Sequence, residues 1–390
     1  MADTILSRRL DIFDPKDQVQ IAKDIDTAVF KRTFFAPLIG RNSNAVIKTS
    51  LATSAGINTV KLRDLLKGKG VKGNSDFDTN RDQLTYLSQD VYIDIFGNSI
   101  KGQDKRFHKY RDGFDFAEQA SEALTEWNTD AFERQTFANL SNDFTNIACL
   151  KADGTLWSMP VASTNTAMCA QVTANDIPTV AGLRKAITRA RLGIDQFGMS
   201  CPPLRPYKSV VVKREGIDIY QDVFIIVLDS FGIEGLKEDP EWKEMNQYAG
   251  VRGNENALFT GQVGVIDSSV VVDGGVWNDE GAGILSSADD HSWYMAQNMP
   301  TVELAQYAGT GNLVTSIGMI LGATAAVMPM DDGVKLYITP EDQGRKHSVA
   351  IDRLLGLAKA RYIGVSAAEQ KSIYHNKDLS VMGLIYARKA

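Results

Sequence analysis

The stretch that decides the fold spans residues 57–100 and reads INTVKLRDLLKGKGVKGNSDFDTNRDQLTYLSQDVYIDIFGNSI. Residues 57–66 alternate, with Val60 and Leu62 on one side and charged side chains on the other, which is typical of a strand. Alternation resumes over residues 84–96, after a connection of about seventeen residues rich in Gly, Asp, Asn and Lys. The pattern predicts a long hairpin arm with no evident core of its own. Because an isolated two-stranded ribbon is marginally stable in water, we expect the arm to lie on another surface.

The clearest helix in the sequence follows this arm, over residues 116 to about 139. Asp115 and Glu118 fit a capping box at its start. Apolar side chains recur along it at helical steps, at Phe116, Ala120, Ala123, Leu124, Trp127, Ala131 and Ala138. This stripe predicts one buried face. Residues 1–53 instead alternate charges with short apolar pieces, so we expect an irregular extension that needs a partner surface to be ordered.

The remainder of the chain mixes short strands with few helices. Helices are predicted at Val180–Leu192, ended by Gly193, and at Pro240–Ala249. Strands are predicted at residues 223–228, 263–266, 269–272, 325–329, 334–338, 348–354 and 381–386. Scattered strands with few helices predict an α+β fold rather than a regular βαβ series.

Composition bounds the class of protein. With 44% hydrophobic residues in a chain of 390, the sequence can bury a sizeable core in one large or two modest domains. The net charge of -6 argues against a protein that mainly coats phosphates, since such binding rests on many Lys and Arg contacts. The three cysteines form no C-x-x-C pair, which predicts buried, reduced thiols in a cytosolic setting; they are Cys149, Cys169 and Cys201. The N-terminus lacks the pattern of a signal peptide, and the apolar run 317–330 is too short to span a bilayer.

Motifs for chemistry are weak throughout. Gly68, Gly70 and Gly73 match the G-x-G-x-x-G dinucleotide fingerprint, but the residues that follow are a poor helix start, so we predict a basic tip instead of a phosphate cradle. The acidic clusters Asp289-Asp290-His291 and Asp331-Asp332-Gly333 are predicted to be a loop and a turn rather than metal sites. We therefore expect no catalytic residue, no metal and no cofactor.

Charges on the helices suggest contacts. Four acidic side chains spaced by four residues form one stripe on the long helix: Glu118, Glu122, Glu126 and Asp130. Like charges at that spacing cost about 0.2–0.5 kcal/mol per pair in an isolated helix. The stripe is either a solvated face or the contact of a basic surface. The basic candidates are the hairpin tip with Lys67, Lys69 and Lys72, the run 101–111, and the N-terminal arm near Arg8 and Arg9. A second helix is basic through Arg184, Lys185, Arg189 and Arg191, and we expect a solvated or subunit-facing surface there.

The order of parts resembles the HK97-like coat-protein fold of tailed, double-stranded DNA phages. The stretches RNSNAVIKTSL, LTYLSQDVYIDIFGNSIKG and FDFAEQASEALTEWNTDAFERQTFANLS carry this resemblance, together with the later FTGQVG step. In sequence, these stretches most resemble the capsid proteins of podoviruses related to coliphage N-four. The resemblance covers roughly residues 35–390, and its motifs are patterns rather than catalytic signatures.

The resemblance implies a division into parts. These are an N-terminal arm (1–56), an E-loop hairpin (57–100), a P-domain with the spine helix (101–176), an A-domain (177–312) and a P-domain return with C-terminal strands (313–390). In this fold the arm and hairpin reach onto neighbouring subunits. The missing core of the hairpin is therefore expected to be the next subunit.

The implied function is a major capsid protein that self-assembles into hexamers and pentamers of an icosahedral shell. That shell would enclose double-stranded DNA without binding it specifically, within a virion assembled in the host cytoplasm and without a membrane partner. Scaffolding and portal proteins are implied partners, a decoration protein is an optional one, and no covalent cross-link is expected. The alternatives are another virion component, such as a tail or decoration protein, or an α+β ligand-binding protein or enzyme.

Overall fold

The computed structural model describes residues 15–51, 56–64, 66, 70–73, 76, 78, 84–102, 116–160, 163–214, 217–249, 262–277, 285, 293–294, 307–331 and 333–388. Its helices are α1 (Pro15–Arg32), α2 (Phe116–Ser141), α3 (Asn165–Cys169), α4 (Val180–Leu192), α5 (Ser230–Glu238) and α6 (Pro240–Ala249). Its strands are β1 (Ile39–Gly40), β2 (Ile47–Leu51), β3 (Ile57–Arg63), β4 (Tyr86–Tyr92), β5 (Asp94–Ile100), β6 (Ile147–Cys149), β7 (Tyr207–Arg214), β8 (Ile217–Val223), β9 (Ile225–Leu228), β10 (Gln262–Ile266), β11 (Ser269–Asp273), β12 (Thr315–Leu321), β13 (Ala326–Met330), β14 (Lys335–Glu341), β15 (Lys346–Leu355), β16 (Ala358–Lys359) and β17 (Val381–Ala387). Short 3-10 turns lie at Ala36–Leu38 and Glu369–Lys371.

Two mixed sheets form the body of the molecule. The seven-stranded sheet has the order β1-β2-β13-β15-β14, with β16 added beside β13 and β5 beside β15. The six-stranded sheet has the order β10-β11-β9-β12-β17-β6. Separate two-stranded hairpins are formed by β3 with β4 and by β7 with β8. Segregated helices and mixed sheets of this kind are an α+β architecture, as the sequence predicts.

The six-stranded sheet is covered on both faces. Ile226 and Leu228 of β9 pack with α4 and α5, while Ile225 and Val227 of the same strand pack with the end of α2. Strands β9, β12 and β17 are buried at every residue, which explains their near-continuous apolar sequences. Sequence reasoning missed β12, since it tested that apolar run only as a membrane span, and it also missed α5 and the β7–β8 hairpin. The strands β9 and β12 pair across the predicted boundary at residues 312/313, and the domain boundaries stay predictions.

The long helix α2 is confirmed and ends two residues later than predicted. Leu124, Ala131 and Ala138 of the predicted stripe are buried, whereas Ala123 is exposed and Trp127 is half-buried. Trp127 stacks on Phe96 of β5 at 5.8 Å between ring centroids, and this contact fixes the helix against the seven-stranded sheet. The predicted helix α4 is also confirmed, with Gly193 at φ +66° ending it.

The prediction that residues 1–53 are irregular is wrong from residue 15 onward, because α1 is a helix of 18 residues. Ala22, Ile25 and Val29 follow one another at helical steps and are buried. Ile25 and Val29 pack with Leu124 of α2 and with the β14–β15 ladder. The partner surface that orders this segment therefore belongs to the chain itself. The helical period is hidden in the sequence because it is short and interrupted by charges of both signs.

The predicted hairpin is confirmed as β3 and β4, which pair from Ile57 opposite Tyr92 to Arg63 opposite Tyr86. The predicted second strand, 84–96, is in fact two strands that break at Ile93, whose N–H donates to the carbonyl of Gly56. The later one, β5, leaves the hairpin and pairs along β15 in the seven-stranded sheet. The hairpin is thereby joined at its base to one of the two main sheets.

Candidate assembly surface

The inner face of the hairpin packs on the same chain. Leu62, Leu87 and Val91 are buried, and the first two belong to a cluster with distant residues: Val327, Ala360, Tyr362, Tyr374 and Leu379. The expectation that the hairpin lacks a core of its own chain is therefore wrong for this face. These partners lie more than two hundred residues away in sequence, so the local alternation of apolar residues does not reveal them.

Hydrogen bonds fix the hairpin to the C-terminal part of the chain. The side-chain amide of Gln89 is buried, and it donates to the carbonyl of Lys359 at 2.6 Å. Its oxygen accepts from the backbone N–H of Arg361 at 3.0 Å. On the other strand, the amide of Asn58 donates to Ser50 Oγ and to the carbonyl of Leu51. Both strands are thus anchored by buried polar side chains. The opposite face of the hairpin is the one available for further contacts.

A buried ion cluster, formed by Lys359, Arg361, Asp143 and Asp378, lies next to these anchors. Lys359 Nζ donates to Asp378 Oδ2 at 3.0 Å and to the carbonyl of Asp143 at 3.0 Å. Arg361 Nε donates to Asp378 Oδ1 at 3.0 Å, and its Nη1 donates to Asp143 Oδ2 at 2.6 Å. Two cations and two carboxylates therefore neutralise one another. Asp143 and its neighbour follow α2 directly, so the cations also satisfy carbonyls at the C-terminal end of that helix.

Burial controls the electrostatics of this cluster. It lowers the pKa of Lys359 to about 8, against the opposing attraction of Asp378. Burial also opposes ionisation of Asp378, but the charges of Lys359 and Arg361 outweigh it and leave the pKa of that carboxyl below its usual value. The cluster is a joint between α2, the hairpin and the C-terminal segment. The four charged side chains of the cluster pair with one another, so the cluster holds these elements in position.

The outer face of the hairpin is exposed and extends beyond its two strands. Ser88 and Ile363 exchange two backbone hydrogen bonds of 3.1 and 2.8 Å as an antiparallel bridge, so the segment 363–365 continues the surface beside β4. Ile363 therefore lies diagonally beside Tyr86, and Val365 follows two residues further along the segment, where its N–H donates to Glu369 Oε2. Tyr86 is 49% exposed, Ile363 is 53% exposed and Val365 is 82% exposed.

Two cations border these apolar side chains, because Lys61 and Arg63 lie on the same exposed face of β3. We call this surface the outer patch, and its members are Lys61, Arg63, Tyr86, Ile363 and Val365. A contiguous exposed apolar surface bordered by charge is typical of a protein–protein contact. The sequence signal for it is faint: Lys61 and Arg63 alternate with buried residues, but nothing local predicts that residues 363–365 lie beside them.

The predicted basic tip is described in part. Lys67 and Lys69 lie outside the described residues, and Lys72 is exposed. Gly70 and Gly73 take φ values of +72° and +71°, which fit turns that favour glycine. At each described position between 70 and 85 the backbone is not helical, so the helix that a dinucleotide fingerprint needs is not seen in that part.

The acidic stripe lies on the exposed face of α2. Glu122, Glu126 and Asp130 are all exposed, and the side chain of Glu118 is outside the described residues. Asp130 accepts a hydrogen bond from Arg134 Nε at 2.9 Å, one turn further on, which relieves the like-charge repulsion at that end. The stripe and the hairpin tip stand on different elements, and their contact with each other stays a prediction.

The expectation of a solvated surface on the basic helix α4 holds for Lys185 and Arg191, which are exposed. Arg191 also lies over the ring of Phe224 at 5.6 Å. Arg184 is half-buried and its charge is neutralised by ion pairs with Glu241 and Asp267. The expectation is wrong for Arg189, which turns inward and donates to the carbonyl of Ile147.

Other predicted features are simple to place. The residues 289–291 lie outside the described part, while Asp331 and Gly333 form the predicted turn, with Gly333 N–H donating to the carbonyl of Asp331. In the described part, no three His, Cys, Asp or Glu side chains group in a way that would hold a metal ion. The helices of that part include none that is both long and apolar enough to cross a bilayer. All three cysteines are buried thiols, as predicted.

Comparison with known proteins identifies the class. A family model described as phage capsid protein matches residues 11–383, so the chain belongs to this family. The major structural protein ORF14 of Helicobacter pylori bacteriophage KHP30 is 29% identical over 385 residues, and the match covers 94% of each protein. A solved acid-stable capsid structure of that phage matches with a TM-score of 0.74 at 28% identity, over 91% of both chains. The capsid of Ralstonia phage GP4 shares the fold, with a TM-score of 0.67 at 17% identity over 92% of both chains.

The protein is therefore a phage major capsid protein with an HK97-like α+β fold, and it forms part of the virion shell. The fold class and the function predicted from the sequence are both confirmed.

Proposed function

We propose that copies of this chain assemble into hexamers and pentamers of an icosahedral shell around double-stranded DNA, with the outer patch of each hairpin seated on a neighbouring copy. The observation that carries this proposal is the exposure of Tyr86 on a hairpin whose opposite face is already buried, together with that of Ile363 and Val365 on the segment beside it. A hairpin held rigidly on one side presents its other side at low entropic cost, which favours association.

The opposite charges of the hairpin tip and of the acidic stripe on α2 support a contact between neighbouring copies. We place Lys67, Lys69 and Lys72 of one copy against the acidic stripe of the next, at Glu118, Glu122, Glu126 and Asp130. Opposite charges at such a contact chiefly set register and partner choice. The exposed carboxylates of Glu122 and Glu126 and the exposed Lys72 support this placement.

Charge reversal tests the contact. A Lys69→Glu/Lys72→Glu variant and a Glu122→Lys/Glu126→Lys variant are each expected to lose shells by electron microscopy, because like charges then meet. Combining all four substitutions is expected to restore them. Lys185→Glu, at an exposed lysine of α4, is the matched control and is expected to assemble normally. Unchanged assembly of the hairpin variant would remove this contact from the proposal.

The remaining features of the proposal follow from the resemblance. We infer that the chain is related to the capsid proteins of podoviruses like coliphage N-four, which its sequence resembles, and that it acts structurally rather than as an enzyme. The partners that we infer are a scaffolding protein, a portal protein and, optionally, a decoration protein, with assembly in the host cytoplasm. The net charge of -6 favours a shell that holds DNA without binding it tightly.

A further inference from the structure

Two of the three cysteines meet in the core although they stand 20 residues apart in sequence. The Sγ atoms of Cys149 and Cys169 are 3.9 Å apart, and both side chains are fully buried. At this distance the sulfurs are near van der Waals contact, so no other atom lies between them. The third thiol, Cys201, is placed differently, with its sulfur accepting from the side-chain amide of Asn146 at 3.6 Å.

The pair brings two elements of the fold together. Cys149 ends β6, the edge strand of the six-stranded sheet, and Cys169 ends the five-residue helix α3. Rotation of the two side chains with a small shift of α3 would bring the sulfurs to the bonded length of about 2.05 Å. That shift works against the hydrogen bonds that hold the helix, which are the Thr164 cap and the bonds of Asn165 with Phe144 and Gln196.

We propose that Cys149 and Cys169 are a modification site, at which an intramolecular disulfide forms once the chain meets a peroxide oxidant. Virion shells spend part of their existence where no thiol-reducing system operates, and disulfides persist in such surroundings. The bond would close a loop within the subunit and reduce the conformational freedom of its unfolded state. The shell would then be stabilised after assembly rather than before it.

The chemistry balances with hydrogen peroxide as the oxidant. The Cys149 sulfur attacks one peroxide oxygen, the O–O bond breaks, and a sulfenic acid and one water result. The Cys169 sulfur then attacks the sulfenic sulfur, the S–O bond breaks, and the departing hydroxide takes up the Cys169 thiol proton and leaves as a second water. Two electrons pass from the thiols to the peroxide. The neighbouring Cys169 thiol and burial raise the pKa of Cys149 well above its usual value, so we expect a slow reaction.

Peptide mapping of the intact protein tests the proposal. Trypsin releases Cys149 in residues 135–151, Cys169 in residues 152–184 and Cys201 in residues 192–208. After prolonged exposure to hydrogen peroxide and alkylation under denaturing conditions, we expect the first two peptides to be linked and Cys201 to be alkylated. The exposed Met199 lies in the third peptide, and its conversion to the sulfoxide reports that the oxidant was active. The oxidised protein is expected to unfold at a higher temperature, and a phosphine reductant should reverse the shift.

A Cys169→Ser variant controls for other effects of peroxide, and it is expected to show neither the linked peptide nor the temperature shift. Alkylated Cys149 and Cys169 in a wild-type sample whose Met199 is fully oxidised would overturn the proposal. So would a disulfide that involves Cys201, or sulfinic acid at Cys149. Because the mapping is done on the wild-type chain, a variant that folds poorly does not weaken the test.

Discussion

Lys359 shows how a single side chain holds the assembly element in place. It is fully buried, and its ammonium group binds Asp378 and the carbonyls of Asn142 and Asp143 at the end of α2. Its own backbone carbonyl accepts from Gln89 of the hairpin. Lys359 therefore links α2 to the hairpin. The cost of burying its charge is offset only because all of its hydrogen-bond partners are present.

We expect Lys359→Met to lower the free energy of unfolding of the unassembled chain by about 3 kcal/mol, since it leaves the buried Asp378 with Arg361 alone and the carbonyl of Asn142 without its ammonium donor. Urea unfolding monitored by circular dichroism measures this. Lys335→Met is the matched control, because Lys335 is exposed and pairs with Asp331 at 3.8 Å. We expect that control to change stability by less than about 1 kcal/mol.

The pH dependence of the free energy of unfolding gives a second test with the same variant. The folded chain lowers the pKa of Lys359 from 10.5 to about 8, so between these values the unfolded state binds more protons than the folded state. The free energy of unfolding contributed by Lys359 therefore rises with pH across that window. The stability gap between wild type and Lys359→Met should widen from pH 8 to pH 10. A gap that narrows would contradict the assignment of the lowered pKa to this lysine.

At the scale of elements, the hairpin is held by buried polar anchors as well as by its own ladder. Gln89 supplies the partner for the carbonyl of Lys359 and for the N–H of Arg361. Gln89→Leu keeps the side-chain volume but leaves both backbone groups unsatisfied in a buried site, at a cost of about 2 kcal/mol.

We expect this substitution to speed hydrogen exchange of the β4 amides by at least about tenfold, since that cost corresponds to more than one decade in a local opening constant. Ser88→Ala, which changes the outer face of the same strand, is the control and should leave exchange unchanged. Equal protection of β4 in the two variants would show that the Gln89 anchor is dispensable.

Elements with strong local patterns could be predicted from the sequence. The helix α2, the helix α4 with its Gly193 end, and the paired strands β3 and β4 all follow from period and capping signals. The helix α1 was missed because alternating charges mask its short apolar stripe. Strand β12 was missed because a fully buried strand carries no alternation to distinguish it. Both failures are cases in which tertiary burial, rather than local period, decides the structure.

At the scale of the whole molecule, the surface that we propose for assembly is built from distant parts of the chain. The exposed acidic stripe could be predicted, because it is a local pattern, while the basic tip stays a prediction at Lys67 and Lys69. The outer patch could not be predicted, since Ile363 comes to lie beside β4 only through its bridge with Ser88. The intramolecular core beneath the hairpin was likewise hidden, and without it the arm looked as though it needed a neighbour for both of its faces.

The two faces of the hairpin differ in exposure. The inner face and the ion cluster fix the hairpin on its own subunit, and the outer patch is exposed, where we propose that the next copy binds. A rigid element with one exposed apolar face suits repeated, symmetric association. Assembly should therefore depend on the outer patch much more strongly than subunit stability does.

The most direct test is electron microscopy of a Tyr86→Glu/Val365→Glu variant, prepared under conditions in which the wild type forms shells. We expect a folded chain, with wild-type circular dichroism and thermal stability within about 1 kcal/mol for surface substitutions, that forms no closed shells. Val314→Glu, at another exposed valine, is the control and should assemble as the wild type does. Closed shells of normal appearance from the double variant would contradict the claim that copies of this chain meet through the outer patch.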